Sequence, residues 1–300
     1  MSLPVKKIYV DSRYMTNDSI STSNFKFQLA RSLFMPQNTV FYLEDVCIPH
    51  SWHTVEKDFN DTIYMLFSIA TGSNPNLVWN NTMYVIKLTP NNYTGSTLAV
   101  EIKTKLQTID ATGTTTFTVV YDLNNHNIVV SINNPTVVFV FPTDGDLIKN
   151  YGVNASYQFA LVGVPFIDMS NLNSWNDLIG NVSTLQQSMN AASASIRPFV
   201  SGMLDLLTII NIYISSPNLG SFSTMGARGE SNIIKKVPCT SYFGFLIIDT
   251  FTSPHDFLDC SKLTLNTLEF VLRDVKGTIL PLHGGHVKFS IVFNVQNLDT

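Results

Sequence analysis

Two histidine pairs are the first residues able to do chemistry: His50-Ser51-Trp52-His53 and His283-Gly284-Gly285-His286. Imidazoles at such spacing ligate a metal when a helix presents them on one face and a carboxylate or thiolate lies at a fixed distance. Neither pair has that context. Gly284-Gly285 reads instead as a turn that needs positive φ before a last strand, so no metal is expected. Cys47, Cys239 or Cys260 would be a nucleophile only beside a histidine. His255 is near Cys260 in the chain, but catalytic partners normally meet through the fold. A free cysteine is more often a small buried hydrophobe. No Gly-x-Ser-x-Gly elbow, phosphate loop or His-Glu-x-x-His helix occurs. Gly226-Ala227-Arg228-Gly229-Glu230 lacks the downstream Lys-Ser/Thr of a phosphate cradle. The expectation is a protein that is not an enzyme and holds no cofactor.

Composition agrees. Apolar residues make up 45% of the 300-residue chain and charged residues 13%, against roughly 25% charged in ordinary soluble domains. So few charges imply surface hidden elsewhere, most simply in large apolar interfaces between subunits. A net charge of -4, with no basic cluster beyond Lys6-Lys7 and Lys235-Lys236, argues against a nucleic-acid groove. The odd cysteine count without Cys-x-x-Cys spacing points to an intracellular chain. The apolar run 206–214 is far short of the ~20 residues of a membrane span, so a soluble protein without a membrane span is expected. The 20 Phe, 11 Tyr and 3 Trp fall mostly on the apolar phase of strands, as in a sandwich core.

The elements that must position these residues are mainly strands. A short strand ends at Tyr9-Val10-Asp11-Ser12-Arg13. Asn24-Phe25-Lys26-Phe27-Gln28-Leu29 alternates with period two, and Val40-Phe41-Tyr42-Leu43-Glu44-Asp45-Val46 is halted by Pro49. Further strands are predicted at 62–68, 83–88, 116–121, 127–132, 137–141, 207–215, 232–237, 243–249, 261–273 and 286–295. Leu98, Ile102, Leu106 and Ile109 recur at helical spacing, with Thr94 or Ser96 placed to cap them. Residues 83–132 thus read as a strand–helix–hairpin module interrupting an all-β pattern. In the 261–273 strand, Leu263, Leu265, Leu268, Phe270 and Leu272 fit one face only if a bulge intervenes. Residues 183–195 suit a weak helix or a surface loop equally.

Several motifs then form an ordered series. Ile8-Tyr9-Val10-Asp11-Ser12-Arg13, Glu44-Asp45-Val46-Cys47-Ile48-Pro49-His50-Ser51-Trp52-His53 and Tyr213-Ile214-Ser215-Ser216-Pro217-Asn218-Leu219 come first. Arg228-Gly229-Glu230-Ser231-Asn232-Ile233-Ile234, Leu258-Asp259-Cys260-Ser261-Lys262 and Leu282-His283-Gly284-Gly285-His286-Val287-Lys288-Phe289 follow. Together they resemble the penton, or minor capsid, protein of mavirus-type virophages and related polinton elements. That resemblance implies a mainly β fold, a single jelly-roll β-sandwich with an inserted strand–helix–hairpin module. Residues 1–60 and 205–300 would form the jelly roll, and 61–204 the insertion and extended loops. It further implies a homopentamer at the five-fold vertices of an icosahedral virion, touching major capsid protein capsomers and assembled in the cytoplasm of the infected host cell. Lys6-Lys7 could meet packaged DNA or a neighbouring capsomer. The alternative is a β-rich attachment or glycan-binding module on the virion surface, with a host receptor as its partner.

In that frame Asp11, Arg13, Trp52, Arg228 and Glu230 are structural or assembly candidates. Asp11, Arg13, Arg228 and Glu230 are expected to form hydrogen-bonded ion pairs that fix loops or subunit contacts. An Arg228→Ala variant should then assemble less completely and melt earlier; normal assembly with an unchanged melting temperature would remove that role.

Overall fold

The computed structural model describes residues 6–71, 78–109, 115–133, 137–151, 160–162, 173–181, 198–219, 224, 226, 229, 232–250, 253 and 256–295. The weak helix considered at 183–195, and both Arg228 and Glu230, lie outside them. The chain divides into two compact units: Met1–Trp52 with Ile209–Thr300, and His53–Thr208. The protein is mainly β, and its sheets are largely antiparallel.

In unit 1, strands β1 (Lys6–Asp11), β2 (Asn24–Phe34) and β3 (Thr39–Pro49) precede the break. Strands β11 (Asn211–Ser215), β12 (Ile233–Pro238), β13 (Leu246–Asp249), β14 (Leu258–Asp259), β15 (Thr264–Arg273) and β16 (Lys288–Val295) follow it. One sheet has the order β1-β16-β3-β13, with β14 also on β3; the other runs β12-β11-β15-β2. The antiparallel pairs are nested. Lys6 faces Phe293, Asn24 faces Val271, Pro49 faces Leu246 and Asn211 faces Pro238. The unit is therefore one long hairpin folded over, fused side to side by the β3–β16 and β11–β15 ladders.

Alternation drives this packing. Phe25, Leu268, Phe270 and Leu272 are buried from one sheet, and Phe41, Leu43, Ile48, Phe289 and Ile291 from the other. Phe270 meets Phe289 across the sandwich edge-to-face, with ring centroids 4.8 Å apart, a favoured aromatic geometry. The expected bulge in β15 is present: register shifts between Leu265 and Thr267, which keeps Leu265, Leu268, Phe270 and Leu272 on the buried face. A second bulge, in β3, was not predicted. Asp45 adopts φ 53°, a conformation Asp tolerates, and burial resumes at Val46 and Ile48.

Unit 2 contains β4 (Thr62–Thr71), β5 (Val78–Lys87), α1 (Gly95–Gln107), β6 (Phe117–Asp122), β7 (Asn127–Ile132), β8 (Val137–Val140), α2 (Asp144–Tyr151), β9 (Ala160–Val162) and β10 (Phe199–Val200). Its sheets are β8-β4-β5-β9, with β9 parallel to β5, and β10-β7-β6. Thr94 caps α1 as anticipated, in a reciprocal box with Thr97. Leu98, Ile102 and Leu106 join Phe117, Ile128 and Val130 in one core, so helix and hairpin bury each other's apolar faces. Helix α2 was not predicted, although Thr143 and Asp146 bond reciprocally at its start, a legible start signal. Trp175, wholly buried, packs edge-on against Phe141.

Backbone meets backbone where residues 173–181 pass 198–205. A Cβ on Gly202 would sit 2.2 Å from the Gly180 carbonyl oxygen, and Gly180 itself has φ 55°. Gly202→Ala should therefore destabilise the protein by about 1–3 kcal/mol, the usual range for overpacking. The measurement is a lower urea midpoint at unchanged m-value; an unaltered midpoint would refute the close approach.

Candidate assembly surface

The Asp11-Ser12-Arg13 stop is a compact hook at the end of β1. Asp11 caps a 3-10 turn, Ser12–Tyr14, by accepting the Arg13 N–H at 3.0 Å. The Arg13 guanidinium donates back to both Asp11 oxygens, with Nη2 to Oδ2 at 2.6 Å. This fork holds the Asp11 carboxyl below the ordinary carboxylate range. Ser12 is fully buried; its N–H donates to the Val287 carbonyl and its Oγ accepts from the Val287 N–H, both at 3.0 Å. Ser12 Oγ also lies 3.2 Å from His286 Nδ1. Of the four residues expected to make ion pairs, Asp11 and Arg13 thus pair with each other.

The Pro49-His50-Ser51-Trp52 junction holds two turns. On one side Ser51 Oγ donates to the Leu282 carbonyl at 2.7 Å. That turn has His283 at φ 47° and Gly284 at φ 81°, the positive φ anticipated there. A Cβ on Gly285 would meet Pro49 Cγ at 2.7 Å. On the other side the His50 N–H donates to Phe245 O, and the Gly244 N–H to His50 O. His50 Nδ1 lies 2.7 Å from the Ser241 carbonyl. The imidazole stacks on buried Trp52 at 4.2 Å and meets the Phe243 edge at 6.4 Å.

These contacts decide what the histidines and cysteines can do. A carbonyl only accepts, so His50 Nδ1 carries its proton and donates to Ser241. Cys239 Sγ, 3.8 Å from that same nitrogen, therefore has no basic nitrogen there. Burial pushes the Cys239 and Cys47 thiols up, and Cys260 up to about 12, away from the thiolate that nucleophilic chemistry uses. His53, in unit 2, faces Glu56, its Nδ1 3.5 Å from the carboxylate.

What the junction does is present apolar surface. The turn it anchors needs Gly244 at φ 84° and leaves Tyr242 79% and Phe245 68% exposed. The row continues onto the edge strand β13 with Leu246 and Ile248, each more than half exposed. Hydrophobic side chains exposed along an edge strand are a ready docking surface. Sequence reasoning singled out the junction but not this row, because the strand predicted at 243–249 carries no sign of which of its faces is exposed. At the opposite edge Tyr9 and Tyr14 are also exposed, Lys7 Nζ lying 5.3 Å from the Tyr9 ring centroid.

No protein-family model and no curated protein matches this chain. Among solved structures, a selenomethionine-labelled crystal structure of the mavirus penton protein is similar over 97% of this chain and 100% of that one. Its TM-score is 0.44 and its sequence identity 8%.

Burial lowers the His50 pKa below its ordinary 6.5. The folded protein then binds that proton less readily than the unfolded chain. The stabilisation is complete above about pH 6.5 and declines as pH falls through the lowered folded value. Melting temperature should drop across that acidic window, and His50→Gln should flatten the profile there. Equal slopes for variant and parent would overturn the assignment.

Proposed function

We propose that this chain is a structural capsid protein that assembles into a homopentamer at the five-fold vertices of an icosahedral virion, beside capsomers of the major capsid protein. The nested pairing of unit 1 supports reading it as a single jelly roll, with unit 2 as an insertion between β3 and β11. Jelly rolls serve as viral capsid and lectin domains, and the ordered motif series resembles penton proteins.

One observation carries the assembly reading over a lectin one: the apolar row from Tyr242 to Ile248. Its members project from a turn and an edge strand instead of lining a polar-rimmed pocket, which suits protein against protein. A ring of identical subunits closes when one surface meets a different surface of the next copy. The fixed turn at Gly244 supplies one such surface already ordered, so association loses little conformational entropy there.

Light scattering on the purified protein should give about five subunits, the closed cyclic assembly expected of a vertex capsomer. Replacing both Leu246 and Ile248 with Asp should yield monomers of unchanged melting temperature. A stable wild-type monomer that binds glycans would refute the capsid reading in favour of the attachment module.

A further inference from the structure

The two long edges of the unit 1 sandwich are built differently. At the β12–β13 edge, Lys235 is buried with its Nζ 3.6 Å from Asp249 and 3.9 Å from Asp256, linking the two sheets. At the other edge β1 and β2 bound a groove of about 600 Å3. Its lining includes Lys6, Lys7, Ile8, Leu29, Arg31 and Phe34, and contains no carboxylate. Lys7 is hydrogen-bonded to Glu44 on the outer face of its sheet. Lys6 and Arg31 are exposed, and neither has an ion-pair partner among the described residues. Two uncompensated cations around an apolar floor are a local exception in a chain of net charge -4. Phe34, 61% exposed, closes one end of that floor.

The backbone adds a direction. The Ser12 N–H donates to Val287 O across the ladder. By two-residue alternation the backbone groups of Val10 and Ile8 point the same way, and those of Lys7 and Tyr9 point away from β16. No strand pairs with that side of β1, or with the free side of β2, among the described residues. Among the described residues, the β1 wall of the groove thus offers N–H and C=O groups outside any ladder, beside apolar side chains and positive charge.

We propose that this groove binds an extended, acidic segment of another protein by strand addition to the β1 edge, its carboxylates meeting Lys6 and Arg31 and its alternate apolar side chains covering Ile8, Leu29 and Phe34. Strand addition takes affinity from main-chain bonds and specificity from alternate side chains. Charge complementarity selects the acidic sequence and suppresses basic ones. A nucleic acid fits less well, since affinity for its backbone comes from neutralising many phosphates in a row and, among the described residues, only two free cations line the groove. The groove lies apart from the β13 apolar row and does not depend on the capsid reading.

The probe is a short fluorescent peptide of alternating Asp and Val, capped at both ends and followed by anisotropy. It should bind the wild-type protein, while the Lys/Val counterpart should not. Lys6→Glu combined with Arg31→Glu should weaken binding at least about tenfold at unchanged melting temperature and subunit number. Methylating the backbone nitrogens along one edge of the peptide should abolish binding, because strand addition needs those donors. Absence of binding, equal binding of the double variant or full affinity of the methylated peptide would each overturn the proposal. Displacement by oligo(dT) with equal affinity would also overturn it, assigning the groove to polyanions in general.

Discussion

Backbone pairing between β1 and β16 joins residues almost a chain length apart, Lys6 with Phe293 and Asp11 with Lys288, and the other strands of unit 1 are arranged inside that pair. Because the pairs are nested, each strand's register follows from its neighbours, and a slip by one residue would expose an entire apolar face. The buried Ser12–Val287 bonds and the Asp11–Arg13 fork stop β1 at the point where this outermost pair ends. The Arg13 side chain is half exposed, so the fork's role is to fix geometry, with little energy of its own.

The Pro49–Trp52 junction extends this order to surface segments. His50 ties the 240–245 turn by backbone and side chain together, and Ser51 ties the 282–286 turn. Aromatic side chains facing solvent are thereby carried on backbone that is hydrogen-bonded to a buried stack. Such a surface has little freedom to fold its apolar groups back onto the subunit.

Much of the strand plan was legible in the sequence because half-buried strands carry their faces in alternate residues. Asn24–Leu29 and 127–132 needed nothing further. Helix α1 was legible from Leu98, Ile102 and Leu106 with the Thr94 cap, and the β15 bulge from a phase break in its leucines. The β3 bulge was hidden because Glu44-Asp45 looks like an ordinary solvent-facing interruption in a strand. Helix α2 is short, and its start at Thr143 lies just after Pro142 and the apolar run 137–141 that reads as a strand. The exposed row on β13 could not be told from core, since composition gives no sign of which apolar strand lies at an edge. The His50–Ser241 bond, like the Gly180–Gly202 approach, joins segments that only the fold brings together.

The nested hairpin has a further consequence for how the chain acquires its shape. Separating partners by long stretches of chain adds only slowly to the closure entropy, yet folding slows as native contacts become less local. During synthesis β1, β2 and β3 emerge long before β16, while His53–Thr208 is continuous and emerges whole. Unit 2 can therefore reach its native core while the first three strands still lack most of their partners. Their apolar faces must be sheltered meanwhile, and β16, made long after β1, closes the outermost pair.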